Sequence, residues 1–316
     1  LGAKPSGIGK WLGYLDKYLV APFYLWHHIR RVSTPRVVHV IDHSNAFYTA
    51  VLKNESHLVT CHDMLAVRSA RGEFGHNQVG WTGRIQQWHI LRGLKRSRHI
   101  ACVSRATAND AARLTGHPAD RISTVANSLS PEFLEATESF GGGRPEASPC
   151  QGQPYVLHVG SDAWYKNRGA VLAVFRQLAE RDTGLQLCLV GPVFSEATLD
   201  AYGVARLKDR IHYLKAPSDR DLRRIYAAAE LLLFPSLIEG FGWPILEAQA
   251  CGTEVLTSRT PPMSELNALD DLCVAGEQDT EEWQAQAAEA CLARIKGKRK
   301  EPDNPEERLS VFSRRF

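Results

Sequence analysis

Two glutamates flank a glycine-rich turn, a pattern that could serve catalysis or ligand binding. Glu239 follows the apolar run "ELLLFPS" (230–236), and Glu247 lies eight positions further along, inside the helical pattern "WPILEAQACG" (243–252). The glycines between them let backbone N–H groups approach a ligand closely, and a helix N-terminus favours an anion such as phosphate. Carboxylates near a helix N-terminus also complement the helix dipole by about 0.3–1 kcal/mol without any ligand. On spacing alone, a reaction site and a purely structural role therefore both stay open.

Short β-branched runs alternate with helical stretches along the chain, which is typical of parallel α/β layers. We predict strands over residues 36–43, 57–63, 99–104 and 122–127 in the first half, and over 155–160, 185–191, 211–215, 230–236, 254–258 and 272–276 in the second. The runs are apolar almost throughout, as expected for strands buried on both faces. The sequence therefore predicts two doubly wound α/β domains.

A segment rich in Gly, Pro and Ser separates the two halves and predicts an interdomain linker. The expected bounds are 1–140 for the first domain, 141–153 for the linker and 154–303 for the second domain. Ligands of such sheets bind beyond the carboxyl ends of the strands, so we expect the site in a cleft between the two sheets. The first half has fewer predicted strands than the second, which indicates that an opening strand and its helix precede Leu1.

The composition excludes several classes of protein. A net charge of +3 over 316 residues is too mild to predict nucleic acid as a partner. The longest apolar stretch, residues 19–26, is far shorter than the roughly 18 residues of a membrane span, and no signal peptide is apparent. The 7 cysteines include no Cys-x-x-Cys pair, and their apolar surroundings predict reduced, buried thiols.

The string "DRD" (219–221) is an Asp-x-Asp pair, whose two carboxylates could hold a divalent ion. However, it follows Ser218 and opens the helical pattern "SDRDLRRIYAAAE", where acidic residues in the first turn form a capping box. We therefore interpret these aspartates as part of a helix start and predict no metal and no cofactor.

The Glu-x7-Glu segment "EGFGWPILE" resembles the signature of retaining glycosyltransferases of family 4. Similarity extends along nearly the whole chain, in "TCHD" (60–63), "CVSRATANDAARL" (102–114), "TVANSLSPEF" (124–133), "HVGSDAWYKNRGAVLAVF" (158–175) and "FPSLIEGFGWPILEAQACGTEVLTS" (234–258). The resemblance implies the GT-B fold, with two Rossmann-like domains facing each other across a cleft. The last residues, 304–316, resemble the family's final helix, which returns to the first domain.

The resemblance also assigns roles to residues of the second domain. Glu239 is expected to contact hydroxyls of the donor sugar, and Glu247 to accept from the ribose hydroxyls of the nucleotide. Lys166 is expected to neutralise the pyrophosphate, which stabilises the leaving diphosphate. Many relatives carry an arginine shortly before this lysine; here either Lys166 carries more of the charge or Arg168 contributes. The other donor-binding candidates are Gly240, Phe241, Gly242, Ser161 and Asn167.

In the first domain, His62 and Asp63 follow a predicted strand. The residues alone favour a structural hydrogen bond, but the family places a histidine beside the donor sugar. His62 is therefore a catalytic candidate with Glu239 and Lys166, and Asp63 and Trp81 are candidates for the acceptor side. Ser104 is either a donor-binding residue at another strand end or the cap of the helix that follows.

Two segments of the first domain combine aromatic and basic residues, "IGKWLGYLDKYLVAPFYLWHHIRR" (8–31) and "WTGRIQQWHILRGLKRSRH" (81–99). The simpler interpretation is that both are helices that cover the sheet. A basic amphipathic helix can also lie on an anionic membrane surface, which leaves a lipid-linked acceptor at a membrane face as an alternative hypothesis.

These patterns predict a cytoplasmic, retaining glycosyltransferase, in peripheral contact with the inner membrane face under that alternative. It would move a hexose-type sugar from a nucleotide-diphosphate donor to a saccharide or lipid-linked acceptor in polysaccharide biosynthesis. No second carboxylate is an obvious nucleophile, and the resemblance favours a front-face route. Alternatives are a catalytically silent nucleotide-sugar-binding subunit, or another GT-B activity such as a nucleotide-sugar epimerase or a phosphorylase.

Overall fold

The computed structural model describes residues 12–13, 15–32, 34, 36–75, 77, 79–134 and 149–300. The predicted C-terminal helix over 304–316 and residues 141–148 of the predicted linker lie outside the described residues.

Each predicted strand run overlaps an observed strand. Within the described residues the strands are β1 (Val37–Val40), β2 (Ser56–Cys61), β3 (His99–Cys102), β4 (Ile122–Thr124), β5 (Tyr155–Val159), β6 (Gln186–Val190), β7 (Ile211–Leu214), β8 (Leu231–Phe234), β9 (Val255–Ser258) and β10 (Cys273–Val274). They form a four-stranded sheet of order β1-β2-β3-β4 and a six-stranded sheet of order β10-β9-β8-β5-β6-β7. Neighbouring strands run parallel in both sheets, which confirms the predicted parallel α/β class.

Helices alternate with these strands. Those within the described residues are α1 (Ala21–Arg31), α2 (Leu65–Ala70), α3 (Trp81–Leu94), α4 (Arg105–Thr115), α5 (Pro131–Leu134), α6 (Arg168–Arg181), α7 (Glu196–Ala201), α8 (Asp219–Ala228), α9 (Trp243–Ala250), α10 (Met263–Leu266) and α11 (Glu281–Lys300). Serine side chains begin several of them: Ser104, Ser195 and Ser218 each accept a hydrogen bond from the N–H three residues later. Among the described helices, none combines the length and apolarity that crossing a bilayer requires.

The chain divides into two compact units, Leu1–Ala126 and Asn127–Phe316. Each has its own apolar core. In the first unit, Val59 and Ile100 of the sheet pack with Leu94 of α3; in the second, Leu187 of β6 packs with Phe175 of α6. All seven cysteines are buried and free, as the sequence predicts.

The division after Ala126 lies earlier than the predicted boundary at residue 140. The reason is α5, whose Phe133 is buried and packs edge-on against Tyr226 of α8, with ring centroids 6.2 Å apart. The turn at 149–152, which the sequence predicts as linker, also holds a buried residue, Cys150.

Candidate active site

Two loops of the second unit meet because β5 and β8 are parallel neighbours. Lys166 ends a short 3-10 turn (Trp164–Lys166) after β5, and Glu239 lies in the loop between β8 and α9. The N–H of Leu237 donates to the carbonyl of Tyr165 at 2.8 Å and joins the two loops. Lys166 Nζ then lies 2.7 Å from Glu239 Oε1. The structure therefore brings two of the predicted catalytic residues together.

The Lys166–Glu239 ion pair is largely withdrawn from water. The lysine and glutamate side chains retain only 14% and 9% of their exposure. The ammonium group also lies 5.3 Å from the centre of the Phe234 ring, at cation–π distance. A charge pair in such surroundings interacts more strongly than one in water. Lys166 could also exchange Glu239 for an anionic ligand group, and Glu239 could accept from ligand hydroxyls instead.

The loop after Glu239 leads directly into α9. Gly242 precedes the helix with φ of 114°, a left-handed conformation that favours glycine. Phe241 is buried and packs edge-on against Trp243, and Pro244 lies in the first turn of the helix. Gly240, Phe241 and Gly242 thus form the approach to a helix N-terminus, which favours an anion.

Glu247 lies one turn into α9 and is held by a residue that the sequence analysis did not identify. The hydroxyl of Tyr226, from α8, donates to Glu247 Oε2 at 2.9 Å. Burial raises the pKa of Glu247 above its ordinary value, and the nearby Asp219 raises it further. The Tyr226 hydroxyl and the charge of Lys166 oppose this by favouring the carboxylate.

Beside Lys166 lies another residue that the sequence analysis missed, His158 on β5. Its ring is fully buried, and Nδ1 donates to the carbonyl of Leu233 at 2.9 Å, so Nε2 carries no proton. A Cβ on Gly160 would come within 2.9 Å of that Nε2 and 3.7 Å of Lys166 Cδ, so residue 160 must be very small. Burial lowers the pKa of His158 to about 4, and the charges of Arg168 and Lys166 lower it as well.

Several buried polar atoms near the carboxyl ends of β5 and β8 have no hydrogen-bond partner among the described residues. They include His158 Nε2, Asn167 Nδ2 and Ser236 Oγ. Asn167 adopts a left-handed conformation between the turn of Lys166 and the start of α6. Unsatisfied buried polar groups are costly, and their clustering here is typical of a site that binds a polar ligand.

The two remaining donor-binding candidates of this unit differ. Arg168 is buried and committed to protein contacts: its guanidinium bonds to Asp162 and the carbonyl of Pro192, and lies over Phe194. Ser161 is exposed, two residues beyond β5. Lys166 is therefore the cation paired with Glu239, while Arg168 supports the loop behind it.

In the first unit, His62 and His43 follow the neighbouring strands β2 and β1, with ring centroids 6.4 Å apart. His62 Nε2 donates to the carbonyl of Ile41 at 3.0 Å, which leaves Nδ1 as an acceptor on an exposed ring. Asp63 Oδ1 accepts from the first N–H of α2 at 2.9 Å. Burial lowers the pKa of His43, and the nearby Asp63 and Asp42 partly offset this. The sequence analysis did not identify Asp42 or His43.

Ser104 and Trp81 lie at helix starts of the first unit. Ser104 is buried, and its Oγ accepts from the N–H of Thr107 at 3.1 Å, so the structure shows the capping role. Trp81 is the first residue of α3 and is 75% exposed.

The "DRD" string begins α8 as the capping interpretation predicts. Ser218 Oγ accepts from the N–H of Asp221 at 3.2 Å and donates to its carboxylate at 2.6 Å. Among the described residues, no cluster of three or more His, Cys, Asp or Glu could hold a metal ion.

The fold and this site together define the chain as a protein of the GT-B glycosyltransferase class. It resembles the HepE protein of Anabaena, whose structure was solved in complex with UDP, with a TM-score of 0.67 and 15% identity over 96% of this chain and 80% of that one. Residues 144–304 match the family described as Glycosyl transferases group 1, and residues 4–133 match Glycosyltransferase Family 4. The chain belongs to the glycosyl transferases of group 1, and its first part is family-4-like.

The curated relatives include two bacterial O-antigen mannosyltransferases. The chain is 29% identical over 189 residues to O-antigen chain mannosyltransferase B of Escherichia coli, covering 58% of this chain and 49% of the relative. It is 26% identical over 198 residues to O-antigen chain mannosyltransferase RfbU of Salmonella typhimurium, covering 62% and 52%. The matches therefore span about half the length of these two relatives.

Proposed function

We propose that this chain transfers a hexose-type sugar from a nucleotide-diphosphate donor to a saccharide or lipid-linked acceptor, with retention of configuration and without a metal ion. The observation that carries the proposal is the largely buried Lys166–Glu239 pair beside the N-terminus of α9. Its cation suits the diphosphate of such a donor, and its carboxylate can accept from the sugar hydroxyls. HepE, solved with UDP and with UDP-glucose, supports a nucleotide sugar, and the names of the relatives support a saccharide acceptor.

Donor binding would exchange the partners within the ion pair. Lys166 would turn from Glu239 to the diphosphate, and Glu239 would accept from sugar hydroxyls. Glu247, eight positions on, would accept from the ribose hydroxyls. Because the pair is already ordered and partly desolvated, little rearrangement is needed as negative charge develops on the leaving diphosphate.

In the proposed front-face step, the bond between the sugar's anomeric carbon and the phosphate oxygen breaks. The acceptor oxygen bonds to the same face of that carbon, and its proton passes to the leaving phosphate. Lys166 would stabilise the departing charge, and Glu239 would position the donor sugar. The engagement of Asp221 in the helix cap supports a mechanism without a metal at that string.

A donor screen tests the proposal. UDP-, GDP- and ADP-sugars are compared by thermal shift, since a ligand that binds the native state raises its apparent stability. Release of nucleoside diphosphate from the best donor is then measured in wild type and in Glu239→Gln. We expect the variant to fold and to release nucleoside diphosphate at least about a hundredfold more slowly.

The matched control is Glu196→Gln, an exposed carboxylate in the first turn of α7. Its rate should equal that of the wild type. Donor binding without any turnover would favour a silent binding subunit, and turnover without an acceptor would favour an epimerase. Full activity of Glu239→Gln would contradict the proposed site.

We also propose a cytoplasmic location and contact with an anionic membrane through the exposed aromatic residues of α1 and α3. Phe23 of α1 is 67% exposed, and Trp81 of α3 is 75% exposed. Basic residues accompany them: Arg30 lies over the ring of Trp26, and Arg92 over that of Trp88. Aromatic residues with adjacent arginines match an interface between acyl chains and anionic headgroups.

Vesicle sedimentation tests this contact. The full chain should bind vesicles containing phosphatidylglycerol at low salt and should largely dissociate at 1 M salt, where charges are screened beyond about 3 Å. Phe23→Ser with Trp81→Ser should reduce binding at least about tenfold. If the chain does not bind these vesicles at low salt, the proposed membrane contact of α1 and α3 is wrong.

A further inference from the structure

The carboxylate of Glu247 is held by one neighbouring side chain. Tyr226 donates to Oε2 at 2.9 Å, and no other described residue donates to this carboxylate. One oxygen is therefore fixed from within the protein, while Oε1 stays available to an outside hydroxyl. A carboxylate accepts through both oxygens, so the two bonds do not compete.

Tyr226 is itself firmly positioned. Its ring is fully buried and packs edge-on against Phe133, and its backbone carbonyl accepts from the hydroxyl of Thr253 at 2.5 Å. The hydroxyl therefore donates to Glu247 from a ring that is held in place by its buried surroundings. Such a support fixes the position of a functional side chain more tightly than an exposed residue could.

We propose that Tyr226 is a positioning residue for donor binding, which aims the Glu247 carboxylate at the ribose. The inference rests on the proposed function, because it takes Glu247 to be the acceptor for the ribose hydroxyls. It adds a residue from α8 to a site built so far from the β5 turn, the β8 loop and α9.

The charges around Glu247 explain why support is needed. Burial and the neighbouring Asp219 both favour the protonated acid, while Tyr226 and Lys166 favour the carboxylate. When the diphosphate engages Lys166, the charge of that lysine is partly neutralised. The Tyr226 hydroxyl is then the remaining described group that favours the ionised form of Glu247, which is the form that accepts from the ribose hydroxyls.

The test is calorimetric binding of the nucleoside diphosphate that the donor screen selects, measured from pH 5 to pH 8. Tyr226→Phe keeps the buried ring and removes only the hydroxyl. We expect about a tenfold loss of affinity at neutral pH, since a hydrogen bond to a charged group contributes on this order. The pH at which binding is lost on acidification should move upward, because the pKa of Glu247 rises.

A chemical comparison adds a readout that a merely structural role would not move. In wild type, the 2′-deoxy or the 3′-deoxy nucleotide should bind more weakly than its parent, and Tyr226→Phe should shrink this difference. Tyr155→Phe is the matched control: its hydroxyl is also buried and donates to α8, at the carbonyl of Ile225, 2.7 Å away. This control should keep both the affinity and the pH profile.

Further variants separate the possible failures. If Tyr226 acts through Glu247, then Glu247→Gln with Tyr226→Phe should bind no worse than Glu247→Gln alone. Additive losses, or an unchanged pH profile in Tyr226→Phe while Glu247→Gln weakens binding, would overturn the role of Tyr226. If Glu247→Gln binds as tightly as wild type, the ribose role itself fails and the inference falls with it.

Discussion

Each unit places a buried histidine at the carboxyl end of its first described strand, yet their surroundings are opposite. His158 of β5 lies near the cations Lys166 and Arg168, whereas His43, after β1, lies near Asp42 and Asp63. Burial lowers the pKa of both rings. The cations lower that of His158 further, while the carboxylates partly restore that of His43.

The difference shows what each sheet edge can bind. Around His158, the cations Lys166 and Arg168 lie near a neutral ring and unsatisfied polar atoms, an arrangement that suits an anion such as a diphosphate. Around His43, carboxylates and the exposed ring of His62 provide acceptors, which suit neutral hydroxyl groups. The two strand ends therefore differ in the kind of ligand group that their charges favour.

The largest expected effect comes from removing the cation of the second unit. Lys166→Met should reduce turnover about a thousandfold, because the leaving diphosphate loses its preorganised positive charge. It should also lower the free energy of unfolding by about 2 kcal/mol, because Glu239 is left buried without its partner. Nucleoside-diphosphate release and urea unfolding measure the two effects.

A double variant separates activity from stability. Lys166→Met with Glu239→Gln should regain most of the stability, since no unpaired charge remains, but none of the activity. Lys215→Ala removes an exposed lysine just beyond β7 and should change neither quantity. Wild-type turnover in Lys166→Met would contradict the proposed role of positive charge near His158, because the reaction would then need no cation there.

The fold was largely predictable because each strand forms within a compact, mostly apolar run, and β8 and β9 are buried along their whole length. The bounds of the strands were harder to predict. The run predicted over 36–43 ends at Val40, because Asp42 accepts from the N–H of Ser44 at 2.7 Å and begins a 3-10 turn instead. The boundary between the units also differed, because the place where Phe133 packs is decided by contacts distant in sequence.

Within the site, what sequence could predict was limited to motif residues at strand ends. Glu239 and Lys166 stood out in this way, but their pairing depends on β8 lying beside β5, an order that spacing does not reveal. Tyr226 and His158 were missed because each lies in an ordinary apolar pattern. Each becomes recognisable only through one neighbour in the folded chain. For Tyr226 that neighbour is Glu247, and for His158 it is Gly160.

The smaller effect concerns the two histidines themselves. An unfolded histidine has a pKa near 6.5, and that of His158 is lowered to about 4 in the folded chain. Between these values the unfolded state binds the additional proton, so the stabilising contribution is complete above pH 6.5 and is lost as pH falls toward 4. The loss should approach about 3 kcal/mol, from the size of the pKa change.

Urea unfolding at pH 4.5, 5.5 and 7 checks this in wild type, His158→Asn and His43→Asn. Asparagine can still donate to the carbonyl of Leu233 but does not titrate, so His158→Asn should flatten the fall in stability at acid pH. His43→Asn should flatten it less, because Asp63 and Asp42 stabilise the protonated ring and narrow its pKa change. An equal effect of both substitutions would mean that the two edges do not differ in charge as the structure indicates, and the division into a diphosphate side and a hydroxyl side would lose its physical basis.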